Sequence, residues 1–234
     1  MKRHQKWWIG GLLIIAVGWG VFGFRSSMSH PEEKKIVALG DSLTFGVGDE
    51  SGHGYVENLQ QWLDRHYEGD TTVDNHAIPG QQSDGLLNQM KEASVFKSVE
   101  NADYILLYIG MNDILKSNGG DLAPLNERQL SKGKKDYENN LKQILDRIRE
   151  KNPTAPVLFL GLFNPYPDKP EIGGVITSWN HLSESMVQNY DDVTFIETND
   201  LFEEKSTRYF SDAVHLNEKG YEKLTKRIIE AYHF

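Results

Sequence analysis

Ile36-Val37-Ala38-Leu39-Gly40-Asp41-Ser42-Leu43 is the stretch that decides how this chain folds. Its first four residues are apolar and two are β-branched, a run of the length and branching of a buried strand. Gly40 then allows a tight turn without a Cβ clash. A strand ending in a turn that presents a hydroxyl fits the carboxyl edge of a parallel sheet, where such folds keep their reactive residues.

On either side of that stretch, short apolar runs alternate with helical patterns. Val56, Leu59, Trp62, Leu63 and His66 recur at helical spacing, and Thr72-Val73-Asp74 opens a weaker second strand. Leu86, Leu87 and Met90 predict a helix N-capped at Ser83. Tyr104 to Ile109 reads as a third buried strand. Tyr137, Leu141, Ile144, Leu145 and Ile148 mark the clearest amphipathic helix, stopped by Asn152-Pro153. Val157 to Leu160 and Val193 to Ile196 complete the strands, with a helix over Val175 to Tyr190 between them. Asn217 caps a last helix reaching about Tyr232. This alternation predicts βαβ units with right-handed crossovers, hence a three-layer α/β/α sandwich on a mostly parallel five-stranded sheet.

Five residues carry the candidate chemistry. Ser42 is a nucleophile if a base takes its proton. His215 is the candidate base, since an ordinary imidazole titrates at about 6.5. Asp212, three residues earlier, is placed to orient that imidazole and stabilise its cation. The backbone N–H of Ser42 and of Gly80, with the Asn112 carboxamide, are candidate oxyanion donors. Each has an ordinary reading when taken singly: a turn serine, a surface Asp–His pair, a Pro-Gly turn after Pro79, a capping Asn in Gly110-Met111-Asn112-Asp113. What favours chemistry is their order along the chain and the position of two of them at strand ends. His53 is a weaker candidate base. The glycine-rich Gly46–Gly54 lacks the Lys-Ser/Thr of a phosphate loop and reads as a mobile loop beside the site. Phe163-Asn164-Pro165-Tyr166-Pro167 either lines an acyl pocket or is a stiffened loop packed on the core.

With these blocks in hand, the chain resembles the GDSL, or SGNH, family of serine hydrolases, in particular bacterial exported lipases and acylhydrolases. The resemblance runs from about Lys35 to the C-terminus. It maps the family nucleophile onto Ser42, the second-block glycine onto Gly80, the Gly-x-Asn-Asp asparagine onto Asn112, and the Asp-x-x-His pair onto Asp212 and His215. It implies a flavodoxin-like α/β sandwich. It also implies a serine esterase or acylhydrolase (lipase, lysophospholipase or thioesterase-like) that works through a Ser-His-Asp triad and an acyl-enzyme, without cofactor or catalytic metal. Two alternatives stay open on the same fold: a cell-wall or polysaccharide O-acetyl esterase, and a membrane-tethered binding module without catalysis.

Charge narrows the partners. The chain carries −9, while residues 1–34 carry +3, so residues 35–234 hold the difference, −12. Such an acidic body repels phosphate backbones, which argues against a nucleic-acid partner and leaves a small-molecule or lipid ester. There is no cysteine, hence no disulfide and no lipid-modified cysteine. Lys2, Arg3 and Lys6 precede an uncharged run from Trp7 to Phe24. Residues 1–24 therefore read as a signal-anchor or a signal peptide, and 25–34 as a polar linker. Residues 35–234 form the hydrolase domain, placed on the outer face of the membrane or secreted. No heptad run or interface stripe indicates an oligomeric state.

Overall fold

A computed structural model describes residues 33–122, 124–204 and 206–234. The expected anchor, residues 1–24, and most of the expected linker lie outside the described residues. Among the described residues, no helix is long and apolar enough to cross a membrane.

Five strands form the sheet: β1 (Lys34–Gly40), β2 (Thr71–Asn75), β3 (Tyr104–Tyr108), β4 (Val157–Leu160) and β5 (Val193–Ile196). All pair in parallel in the order β2-β1-β3-β4-β5. Between them run α1 (Ser42–Phe45), α2 (Gly54–His66), α3 (Ser83–Gln89), α4 (Ala93–Glu100), α5 (Met111–Ser117), α6 (Glu127–Lys151) and α7 (Pro170–Val187). Helix α8 (Glu218–Ala231) follows β5. Right-handed crossovers with this strand order put helices on both faces. Helices α2 and α8 pack together, and α6 packs against α3, α4, α5 and α7. The central strands are therefore sealed on both sides: Ile36 to Leu39 and Ile105 to Leu107 are fully buried.

The strand order reverses direction between β1 and β3, where Leu39 pairs with Leu107 and Gly40 with Tyr108. Loops leaving the two carboxyl ends diverge there and open a crevice. Ser42 and Asn112 both stand at that crevice.

Several local expectations need correction. Ser83 is the first residue of α3 rather than its cap. The cap position is Gln82, which makes no side-chain capping bond. The acceptor is supplied from another element: the Asp113 carboxylate takes the Ser83 N–H at 3.0 Å and also its hydroxyl. The turn after β1 is a helical turn, α1, N-capped by Asp41, and Asn112 lies on a short helix, α5. Strand β3 ends at Tyr108, not Ile109, and the linker's last residue, Lys34, already belongs to β1.

Candidate active site

Ser42 opens α1 immediately after β1. Leu43 N–H donates to Asp41 Oδ1 at 3.0 Å and Phe45 N–H to the Asp41 carbonyl at 2.9 Å, which fixes the turn holding the serine. His215 comes from the loop between β5 and α8. An isolated antiparallel bridge, Phe210 with Leu216, closes that loop. Within it, Val214 and His215 N–H groups each donate to Asp212 Oδ1 at 2.8 Å. The pair therefore meets across an Asx-type loop, not along a helical turn. Asp212 Oδ2 lies 2.7 Å from His215 Nδ1, and His215 Nε2 lies 2.9 Å from Ser42 Oγ, although 173 positions separate the two residues. Burial alone would raise the Asp212 carboxyl. The hydrogen bonds from the His215 ring and from the His215 and Val214 backbones outweigh it and hold the group below the ordinary carboxylate value, hence ionised.

The other two predicted residues face the same pocket, a hollow of about 320 Å³ lined by Ser42, Gly80, Asn112 and His215. Asp41 also reaches the wall, and Leu43, Val47, Pro79, Met111, Leu115 and Val214 make the rest of it largely apolar. Gly80 has φ +79°, a left-handed conformation that favours glycine, and nothing lies within 4 Å of where a Cβ would stand. Among the described residues, no acceptor meets the backbone N–H of Ser42 or Gly80. Asn112 differs from expectation. Its Nδ2 already donates to Asp41 Oδ2 at 3.0 Å and to the Gln81 carbonyl at 3.1 Å.

Behind the pocket lies a polar layer that sequence patterns do not reveal. Asp41 and Asp113 are buried carboxyls, pushed up to about 7 and about 6 chiefly by burial. Gln81 donates from its amide to the Gly40 carbonyl and to Gln89, and Gln89 in turn holds the His76 carbonyl. These bonds tie the Gly80 turn to the strand that delivers Ser42. Gly48, in the glycine-rich segment, has φ +96°, and a Cβ there would overlap Ser211 Oγ and the Leu216 carbonyl and press on His215 Cβ. That segment is a backing for the His215 loop. Its Asp49 is pinned by Ser51 and Gly54 N–H groups, at 2.8 and 3.0 Å.

Two other sequence candidates lie elsewhere. His53 sits at the N-terminus of α2, with Nδ1 3.3 Å from Ser51 Oγ, and is not part of the pocket wall. Phe163 is fully buried against Phe202 and Phe210, so its loop is the stiffened, core-packed alternative. Among the described residues, no group of three or more His, Asp or Glu is arranged to hold a metal ion.

Comparison with known proteins identifies the family. The model of the GDSL-like lipase/acylhydrolase family matches residues 38–223. YpmR of Bacillus subtilis is 34% identical over 204 residues, covering 84% of this chain and 80% of that protein. Spore germination lipase LipC of Bacillus licheniformis is 26% identical, covering 83% of this chain and 94% of its own length. Among solved structures, the lipase Lip_vut3 from a goat rumen metagenome superposes with a TM-score of 0.77 at 25% identity. It covers 85% of this chain and 97% of that one.

Proposed function

The chain belongs to the GDSL-like lipase/acylhydrolase family, and on that basis we propose that it hydrolyses carboxylic esters through an acyl-enzyme on Ser42. One observation carries this reading: the unbroken run of hydrogen bonds from Asp212 through His215 to Ser42 Oγ, at 2.7 and 2.9 Å. With Nδ1–H given to the carboxylate, His215 Nε2 holds the lone pair that accepts the serine proton. Ser42 Oγ then attacks the ester carbonyl carbon. The carbonyl oxygen takes the negative charge, met by the N–H groups of Ser42, Gly80 and Asn112. His215 returns the proton to the departing alcohol as the C–O bond breaks. Water follows the same course: His215 removes its proton, the hydroxide adds to the acyl carbon, and Ser42 leaves with its proton restored.

The largely apolar wall around Ser42 supports an apolar acyl group rather than a glycan acetyl ester. That LipC is named a lipase and a 28%-identical Ruminococcus flavefaciens protein a multidomain esterase supports the reaction class. We further read the basic, then apolar, residues 1–24 as the segment that exports the domain and holds it at the outer membrane surface.

The test is Ser42→Ala with a short p-nitrophenyl ester and a fluorophosphonate probe. Wild-type protein should turn over the ester and take the label on Ser42. The variant should do neither while unfolding cooperatively at a similar temperature. Wild-type protein that is neither labelled nor active would favour a binding module, and a fully active variant would remove Ser42 from the chemistry.

A further inference from the structure

We propose that Asp41 is a positioning residue for this hydrolysis, its buried carboxylate holding the Asn112 carboxamide in the orientation from which Nδ2 meets the oxyanion. The proposal rests on the ester-hydrolase reading given above. An amide nitrogen has two hydrogens to give. In the resting site Asn112 gives one to Asp41 Oδ2 at 3.0 Å and the other to the Gln81 carbonyl at 3.1 Å. The donor thus has no spare hydrogen until one acceptor yields. Above about pH 7, where Asp41 is ionised, the two acceptors are unequal, because a bond to an ionised oxygen is roughly twice as strong as one to a neutral carbonyl. A developing oxyanion therefore displaces the Gln81 carbonyl, while the Asp41 bond stays and acts as the pivot.

The choice of residue at position 41 points the same way. Capping α1 takes a single oxygen, and Oδ1 does this by accepting the Leu43 N–H. Serine or asparagine caps a helix as well as aspartate, without placing a carboxyl in a site that is 2% exposed and close to a second one, Asp113. What a carboxylate adds is Oδ2, and Oδ2 is spent on Asn112. Both oxygens are thereby engaged by the protein, and it is through Asn112 that Asp41 bears on the oxyanion.

Asp41→Asn and Asp41→Ser test this. Each keeps an acceptor for Leu43. The first turns an N–H toward Asn112 in place of an oxygen, and the second is too short to reach it. With a p-nitrophenyl ester, Asn112→Ala should lower kcat by about 10²–10³-fold, the loss of one oxyanion donor. Asp41→Asn should lower it about 10–100-fold with KM within about threefold, since a misplaced donor fails only in the transition state. The deciding readout is the double variant, Asp41→Asn with Asn112→Ala. If Asp41 acts through Asn112, its kcat is within about threefold of Asn112→Ala alone. Losses that multiply would overturn the proposal, as would wild-type kcat in either Asp41 variant. Should Asp41→Asn not fold, Asp41→Ser decides by the same cycle. Undiminished kcat in Asn112→Ala would remove the donor and this proposal together, whereas failure of the underlying hydrolase reading shows separately, as persistent activity in Ser42→Ala.

Discussion

Burial pushes the Asp41 carboxyl up to about 7 against the hydrogen bonds from Leu43 and Asn112, with Asp113 adding to the rise and His215 opposing it. Between pH 4 and 7 the folded protein keeps a proton that the unfolded chain has released. Stability contributed by this group is therefore full below about pH 4 and declines as pH rises to about 7. Asp41→Asn removes that decline. Asp113, raised for the same reason to about 6, titrates in both proteins, so only its charge coupling to Asp41 remains in their difference. The variant's Tm minus that of the wild type should grow by about 5–10 °C between pH 5 and 8, read by calorimetry in a pH series. A constant gap would mean that the carboxyl ionises freely in the fold. The same substitution is expected to slow the reaction, so stability and turnover part company at one side chain. The candidate site residues are legible in the sequence: Ser42, Gly80, Asn112 and His215 line one pocket, and Asp212 is bonded to His215 behind it. Asp41 was read only as part of the turn, because its bond to Asn112 spans 71 positions and leaves no periodic trace.

Among the elements, those with a long apolar stripe were legible and those without one were not. Strands β4 and β5 and the Asn217 cap of α8 lie where their patterns put them. Helices α4 and α5 were not foreseen. In α4 the buried apolar residues are only Val95 and Val99, and α5 starts inside Gly110-Met111-Asn112-Asp113, which also reads as a turn. By composition the glycine-rich segment before α2 reads as a mobile loop beside the site. Its Gly48 instead abuts the chain that carries His215. Gly48→Ala meets two obstacles, a left-handed φ costing roughly 1–2 kcal/mol and an overlap with Ser211 and Leu216. Relief that moves the His215 loop displaces the imidazole, and a shift of about 1 Å in a reacting group costs on the order of 10²-fold in rate. We expect kcat/KM to fall by that order. Gly119→Ala is the control: its φ is +93° but nothing lies within 4 Å, so it should lose only the stability its backbone conformation costs and keep its kcat/KM. Equal activities in the two variants would show that Gly48 does not support the His215 loop.

Across the whole molecule, the sheet sorts chemistry to one pole. The apolar wall of the pocket makes a quantitative statement about substrate: each methylene buried is worth about 0.8 kcal/mol, or about fourfold in kcat/KM. A p-nitrophenyl ester series should climb by that factor per added carbon from acetate until the hollow of about 320 Å³ is filled, then level off. A series that is highest at acetate would favour the O-acetyl esterase alternative. The opposite pole is closed by aromatics. Phe234 stacks edge-on to Tyr104, the first residue of β3, at 5.3 Å between ring centres, and packs near Trp62 and Tyr232. The described chain also enters β1 there, at Lys34. Seven residues of β1, at about 3.3 Å each, put roughly 20 Å between that end and the Ser42 turn. A resin linker, fluorescent partner or affinity handle joined after Phe234 would therefore hold the protein by its back and leave the mouth of the pocket facing the solution.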